Sequence, residues 1–132
     1  MLFRKKTPAT PSPQDRRHAL ACIPVRNPEV EDEMQENGEL RLSWPVEVRP
    51  WFQGVFKRFS LQQNAVITRK LQLDILGMTV WKLVDGEKSV GEIVTAFQEL
   101  YQLEQREAEI AVTSFFKELG RRGLVAMRSP GE

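Results

Sequence analysis

The sequence predicts an α+β domain in which a three-stranded antiparallel sheet is followed by three helices. Three observations predict it. Apolar residues recur at every second position on both sides of an Asn37-Gly38 turn signal, between residues 29 and 46. The same period returns over residues 65–73. From Asp74 to Gly123 the spacing lengthens to three or four residues, in three runs broken at Asp85-Gly86 and after Tyr101.

Taken in order, Val30, Asp32 and Met34 alternate with Glu29, Glu31 and Glu33 in a first, acidic strand. Asn-Gly is the preferred pair of a type I′ turn, whose two central residues need positive φ. The return strand puts Leu40, Leu42, Trp44 and Val46 on one face and Glu39, Arg41 and Ser43 on the other. In the third strand Ala65, Ile67, Leu71 and Leu73 oppose Thr68, Lys70 and Gln72, with Arg69 out of pattern on the apolar side. Asp74 suits the N-cap of a first helix that buries Leu76, Val80, Leu83 and Val84. Ser89-Val90-Gly91-Glu92 is a capping box opening a second, with Val90, Ile93, Val94, Phe97 and Tyr101 inward. The third, from about Gln105 to Arg121, is expected to bury Ala108, Ala111, Val112, Phe115 and Leu119. Gly123 stops it before a short extended end, Leu124 to Met127.

The domain is expected over residues 27–128, with a flexible, basic, proline-rich arm at 1–26 and a tail at 129–132. An aromatic insertion at 47–64 carries Trp51, Phe52, Val55, Phe56 and Phe59 on one helical stripe. It reads either as a cover folded over the sheet or as an amphipathic segment for a membrane or partner. Charge runs in blocks. Residues 1–26 hold six basic groups against one acidic, and residues 27–39 hold six acidic groups and none basic. Alternating blocks do not make the continuous basic face of a phosphate-backbone binder and leave room for a charged peptide. One cysteine excludes an internal disulfide framework, and no apolar run nears the roughly 20 residues of a spanning helix. The start has no apolar signal region, so a cytoplasmic location is expected.

Catalysis needs convergent titratable or nucleophilic groups. The only histidine, His18, and the only cysteine, Cys22, both fall in the expected arm, which gives them no rigid scaffold. The acidic run Glu29 to Glu33 splits across both faces of a strand, which argues against a metal site, and no glycine-rich phosphate loop precedes a helix. The expectation is a protein that is not an enzyme, with no catalytic residues, no metal and no cofactor.

Leu73-Asp74, Gly77, Val80-Trp81, Asp85-Gly86, Ser89-Val90, Glu92-Ile93, Tyr101, Phe115, Leu119 and Gly123-Leu124-Val125 form an ordered set. In this set the chain resembles the PqqD family, the small proteins of pyrroloquinoline quinone (PQQ) biosynthesis whose relatives are called RiPP recognition elements. The resemblance spans about residues 28–127 and is strongest from 71 to 125. It implies a winged-helix-like, non-catalytic peptide chaperone. In the family it resembles, the leader of a ribosomal precursor adds as a strand on the third strand's edge, against the third helix, and is presented to a modifying enzyme, often a radical-SAM protein. Carried over by position, the peptide-binding edge is Thr68, Arg69, Lys70, Leu71, Gln72 and Leu73, and the helical wall is Ile110, Thr113, Ser114 and Lys117. Arg69 and Lys70 suit an acidic leader, and equally keep an edge strand from aggregating. The insertion at 47–64 and the arm depart from the family's pattern. Proline at Leu71 is the substitution expected to break peptide pairing.

Two other classes compete. A winged-helix-like fold invites a DNA-binding regulator, but between residues 104 and 119 Glu104, Glu107, Glu109 and Glu118 outnumber Arg106 and Lys117 and repel phosphates, with only Arg121-Arg122 and the N-terminal arm in its favour. A membrane-peripheral scaffold would anchor through the 51–59 aromatic segment.

Overall fold

A computed structural model describes residues 12–47 and 66–131. The order is α1 (Pro13–Ala21), β1 (Ile23–Arg26), β2 (Glu31–Met34), β3 (Leu40–Glu47), β4 (Val66–Leu73), α2 (Ile75–Leu83), α3 (Val90–Tyr101), α4 (Gln105–Arg121) and β5 (Val125–Arg128). The class is α+β as expected, with a three-stranded antiparallel sheet in the order β2–β3–β4. Among the described residues there are four helices rather than three, and a second, two-stranded sheet joins β1 to β5.

The extra elements correct the expected arm. Ser12 caps α1 by accepting from the Asp15 amide at 3.1 Å, and Pro13 sits in the first turn, where it loses no helical hydrogen bond. The helix buries none of its residues wholly, so its sequence carries little apolar periodicity. β1 pairs antiparallel with β5, from Ile23↔Arg128 to Arg26↔Val125, a partner a hundred residues away. Pro24 is tolerated because a two-stranded ribbon has only edge strands. The Val90 amide donates to the Cys22 carbonyl at 2.9 Å and the Asn27 amide to that of Leu124, so the segment is pinned at both ends. Residues 1–11 of the expected arm and residues 48–64 of the insertion lie outside the described residues.

The hairpin forms with a different turn. Gly38 has φ +85°, whereas Asn37 is not in the left-handed region, which excludes type I′. The Gly38 amide donates to the Gln35 carbonyl at 3.0 Å and the Gln35 amide to the Glu39 carbonyl at 2.8 Å, closing a three-residue loop. Register explains the choice. Met34 pairs with Leu40 and Asp32 with Leu42, so the alternating sets share a face. A two-residue loop at Asn37-Gly38 would slip the pairing by one and set Met34 against Arg41.

Leu40, Leu42 and Trp44 of β3 supply the sheet side of the core, and Val80, Trp81, Ile93, Phe97, Val112 and Leu119 the helical side. Asp74 caps α2 by accepting from the Gly77 amide at 2.9 Å, and Ser89 and Glu92 complete the capping box of α3. The helical phases need three corrections. Leu76 is exposed and Trp81 takes its place inside. Phe116 is buried while Phe115 is half-buried, and Ala111 faces solvent. Trp81 also ties both sheets together. Its Nε1 donates to Asp32 at 3.0 Å, its ring lies 4.4 Å from the Arg26 guanidinium carbon, and its carbonyl accepts from Arg26 at 2.5 Å.

Candidate functional site

The feature with an open chemical valence is the outer edge of β4. It ends the order β2–β3–β4, so among the described residues no strand pairs its far side. Which groups it presents follows from the hairpin. The bond from the Gln35 amide to the Glu39 carbonyl makes Gln35–Glu39 a hydrogen-bonded pair. Such pairs alternate along an antiparallel ladder, so Arg41 and Ser43 aim their main-chain groups at β2, and Leu40, Leu42, Trp44 and Val46 aim theirs at β4. Their partners Leu73, Leu71, Arg69 and Ile67 face inward to β3. Thr68, Lys70 and Gln72 are left with outward N–H and C=O groups. Pro45 agrees with this phase: its missing N–H would face the β2 side, where β2 has already ended opposite Ser43.

Side chains alternate across the same edge. Thr68, Lys70 and Gln72 lie on the face away from the core, with Gln72 donating to Glu39 at 2.6 Å. Ile67, Arg69, Leu71 and Leu73 lie on the core face. Leu73 is buried and Leu71 half-buried, whereas Arg69 is exposed and Ile67 is 49% exposed. Among the described residues, the core face of β4 is therefore covered at its C-terminal end and open at its N-terminal end. Arg69 stands opposite buried Trp44 without an ion pair among the described residues.

Phe115 marks where α4 approaches this strand. A methyl group built on Gly77 would lie 3.0 Å from the Phe115 ring and 3.4 Å from the Leu73 Cβ, so the ring packs on α2 beside the end of β4. At about 100° per residue, Ala111 and Glu118 flank Phe115 on that side of α4. Two residues of the helical wall expected from the sequence face α1 instead. Ile110, 54% exposed, and Thr113 border a cleft of about 630 Å³ between α1 and α4, together with Ala19, Leu20, Arg16 and Arg106. Ser114 and Lys117 are exposed. The structure thus gathers Thr68 to Leu73 along one strand, with Phe115 near its Leu73 end, and places Ile110 and Thr113 on the α1 side of α4.

The α1 cleft is held by a two-bond ion pair, with Arg16 Nε and Nη2 each 2.6 Å from a Glu109 carboxylate oxygen. Hydrogen bonding to Arg16 holds the Glu109 carboxyl below its usual range. His18 and Cys22 lie on and at the end of this helix rather than in an arm, with Sγ 3.8 Å from Nε2. No described side chain orients the His18 ring as a base would require. Among the described residues no group of three or more histidine, cysteine, aspartate and glutamate side chains could hold a metal, and no helix is long and apolar enough to cross a membrane.

The outward set Thr68, Lys70 and Gln72 was within reach of sequence reasoning, given the loop length at 36–38. The closeness of Phe115 to Gly77 was not, because nothing local distinguishes Phe115 from Phe116 as the buried ring. Residues 67–125 match the family model for coenzyme PQQ synthesis protein D (PqqD), a span from β4 through α4 to the first residue of β5. The resemblance read from Leu73-Asp74 to Gly123-Leu124-Val125 is thereby found independently. No curated protein and no solved structure matches the chain at a significant level.

Proposed function

We propose that the chain is a non-catalytic, winged-helix-like peptide-binding protein of PqqD type. It takes an extended precursor segment as an added strand on β4 and presents it to a modifying enzyme, of the radical-SAM class or another, in the cytoplasm. The observation that carries this reading is the outer edge of β4, which no strand among the described residues pairs, with outward Thr68, Lys70 and Gln72 inside the PqqD-matching span. An extended peptide gains main-chain hydrogen bonds there, and alternate side chains read the surfaces on either side. Between residues 104 and 119, Glu104, Glu107, Glu109 and Glu118 outnumber Arg106 and Lys117, which favours a peptide guest over nucleic acid. The pathway is PQQ biosynthesis or another peptide modification.

The test uses proline at the position the ladder phase selects. Leu71, the position read from sequence, aims its N–H at β3, so proline there would break the sheet itself. Lys70→Pro removes an outward donor and leaves the β3–β4 ladder its bonds. Peptides captured by the parent from the native cell lysate should be lost with Lys70→Pro, at unchanged helical circular dichroism. Equal capture by both proteins overturns strand addition on β4, and salt-sensitive capture of DNA in place of peptide favours the regulator.

A further inference from the structure

We propose that Arg69 selects the peptide, by pairing with an aspartate or glutamate on the guest strand's core-facing side, flanked two residues away on each side by apolar residues. This rests on strand addition at β4 and specifies which guest fits.

The ladder phase fixes the faces. A guest strand bonds to Thr68, Lys70 and Gln72, so the guest residues opposite those three point away from the core. The guest residues between them point to the core side, opposite Arg69 and Leu71, in pairs without hydrogen bonds, whose side chains stand closer together. Three features then read the inner side. Ile67 and Leu71 flank Arg69 at spacings of two, and Phe115 stands at the Leu73 end. Both outer positions of that triplet are apolar, and the central one is a guanidinium without an ion pair among the described residues.

Arg69 is the stronger reader of the two cations on this edge. Its guanidinium can bind a carboxylate through two parallel bonds, which an ammonium cannot. It also stands on the apolar side of the sheet, across from buried Trp44, where a guest strand would shield the pair from water. Lys70 points from the solvent face, where a pair is screened and contributes little. An arginine in this place weakens an otherwise apolar strand face, and no hydrogen bond, ion pair or cation–π contact among the described residues offsets it.

The test is selection from a displayed library of random ten-residue peptides on the full chain, with Arg69→Gln, Lys70→Gln and Lys70→Pro run in parallel. Sequences enriched by the parent over Lys70→Pro should carry Asp or Glu at one position with apolar residues two places to either side. In a synthetic peptide from that pool, changing the acid to its amide should weaken binding to the parent about tenfold, as expected for a hydrogen-bonded charge. Arg69→Gln should erase that difference and Lys70→Gln should keep it. Enriched peptides with no acidic preference, or a preference that survives Arg69→Gln, would overturn the role of Arg69 and leave strand addition standing. An absence of peptides that depend on the β4 edge would remove the strand-addition reading, and this inference with it.

Discussion

Trp81→Phe should cost the fold about 2–3 kcal/mol, because one side chain joins both sheets to the helices. Trp81 is 1% exposed. Exchanging indole for phenyl gives up roughly 40 Å² of buried apolar surface, about 1 kcal/mol at about 25 cal/mol per Å². The bond from Nε1 to Asp32 reaches a carboxylate, yet the Asp32 side chain is 44% exposed, so its loss costs about 1 kcal/mol rather than the buried figure. Arg26 stacks on the ring at 4.4 Å, and the weaker quadrupole of phenyl subtracts about 0.5 kcal/mol more. With a urea slope of about 1.5 kcal/mol per M for a chain of this size, the midpoint should fall by about 1.5 M. Far-UV circular dichroism in a urea titration measures it. In an Asp32→Asn background the same change should cost visibly less, since the partner is already altered. A shift under about 0.5 M would refute the claim that Trp81 couples the β1–β5 ribbon to the rest.

Other outcomes follow from single contacts. The Glu109 carboxyl is depressed by Arg16, so its share of α1 docking is present above the ordinary value of 4.5 and is lost as pH falls below it. Protection of the amides of residues 14–21, measured relative to their intrinsic exchange rates, should fall through that window, and Glu109→Gln should flatten the dependence. Ser89→Ala opens the capping box of α3 and should lower stability by about 1 kcal/mol in a thermal melt. Gly123→Ala forces a side chain into φ +76° and should cost about 1 kcal/mol, read from the same melts.

Much of the fold was legible because its signals are local. Asp74 and Ser89 announce their helices through side-chain oxygens that cap adjacent amides, and Gly123 ends α4 through a positive φ. The apolar set of β3 reads directly, since one face of that strand is buried along most of its length. What failed depends on distant partners. Ile23-Pro24-Val25-Arg26 is too short to declare itself and becomes a strand only against Val125–Arg128. Ser12-Pro13 with Asp15 is a helix-start signature, obscured by neighbouring prolines and by a helix that buries no whole residue. Phe115 and Phe116 fit the same stripe within one helical step, and the packing of Phe115 on Gly77 of α2 is a tertiary contact that the stripe does not announce. Thr68 to Leu73 fall on the outer strand of the sheet, as read from the sequence, whereas Ile110 and Thr113, two of the four residues read as a wall with Ser114 and Lys117, line the α1 cleft. The side of α4 that faces a strand is set by packing rather than by α4's own sequence.

The most direct test of the account is residue-resolved amide exchange along β4, in the free chain and with an edge-selected peptide bound. Free, the amides of Thr68, Lys70 and Gln72 should exchange quickly while those of Ile67, Arg69 and Leu71, bonded to β3, are protected. With peptide bound, the first three should become protected and the alternation should vanish. Protection gained instead by Ile110 and Thr113, with the alternation at β4 unchanged, would contradict strand addition and move the binding site to the cleft under α1.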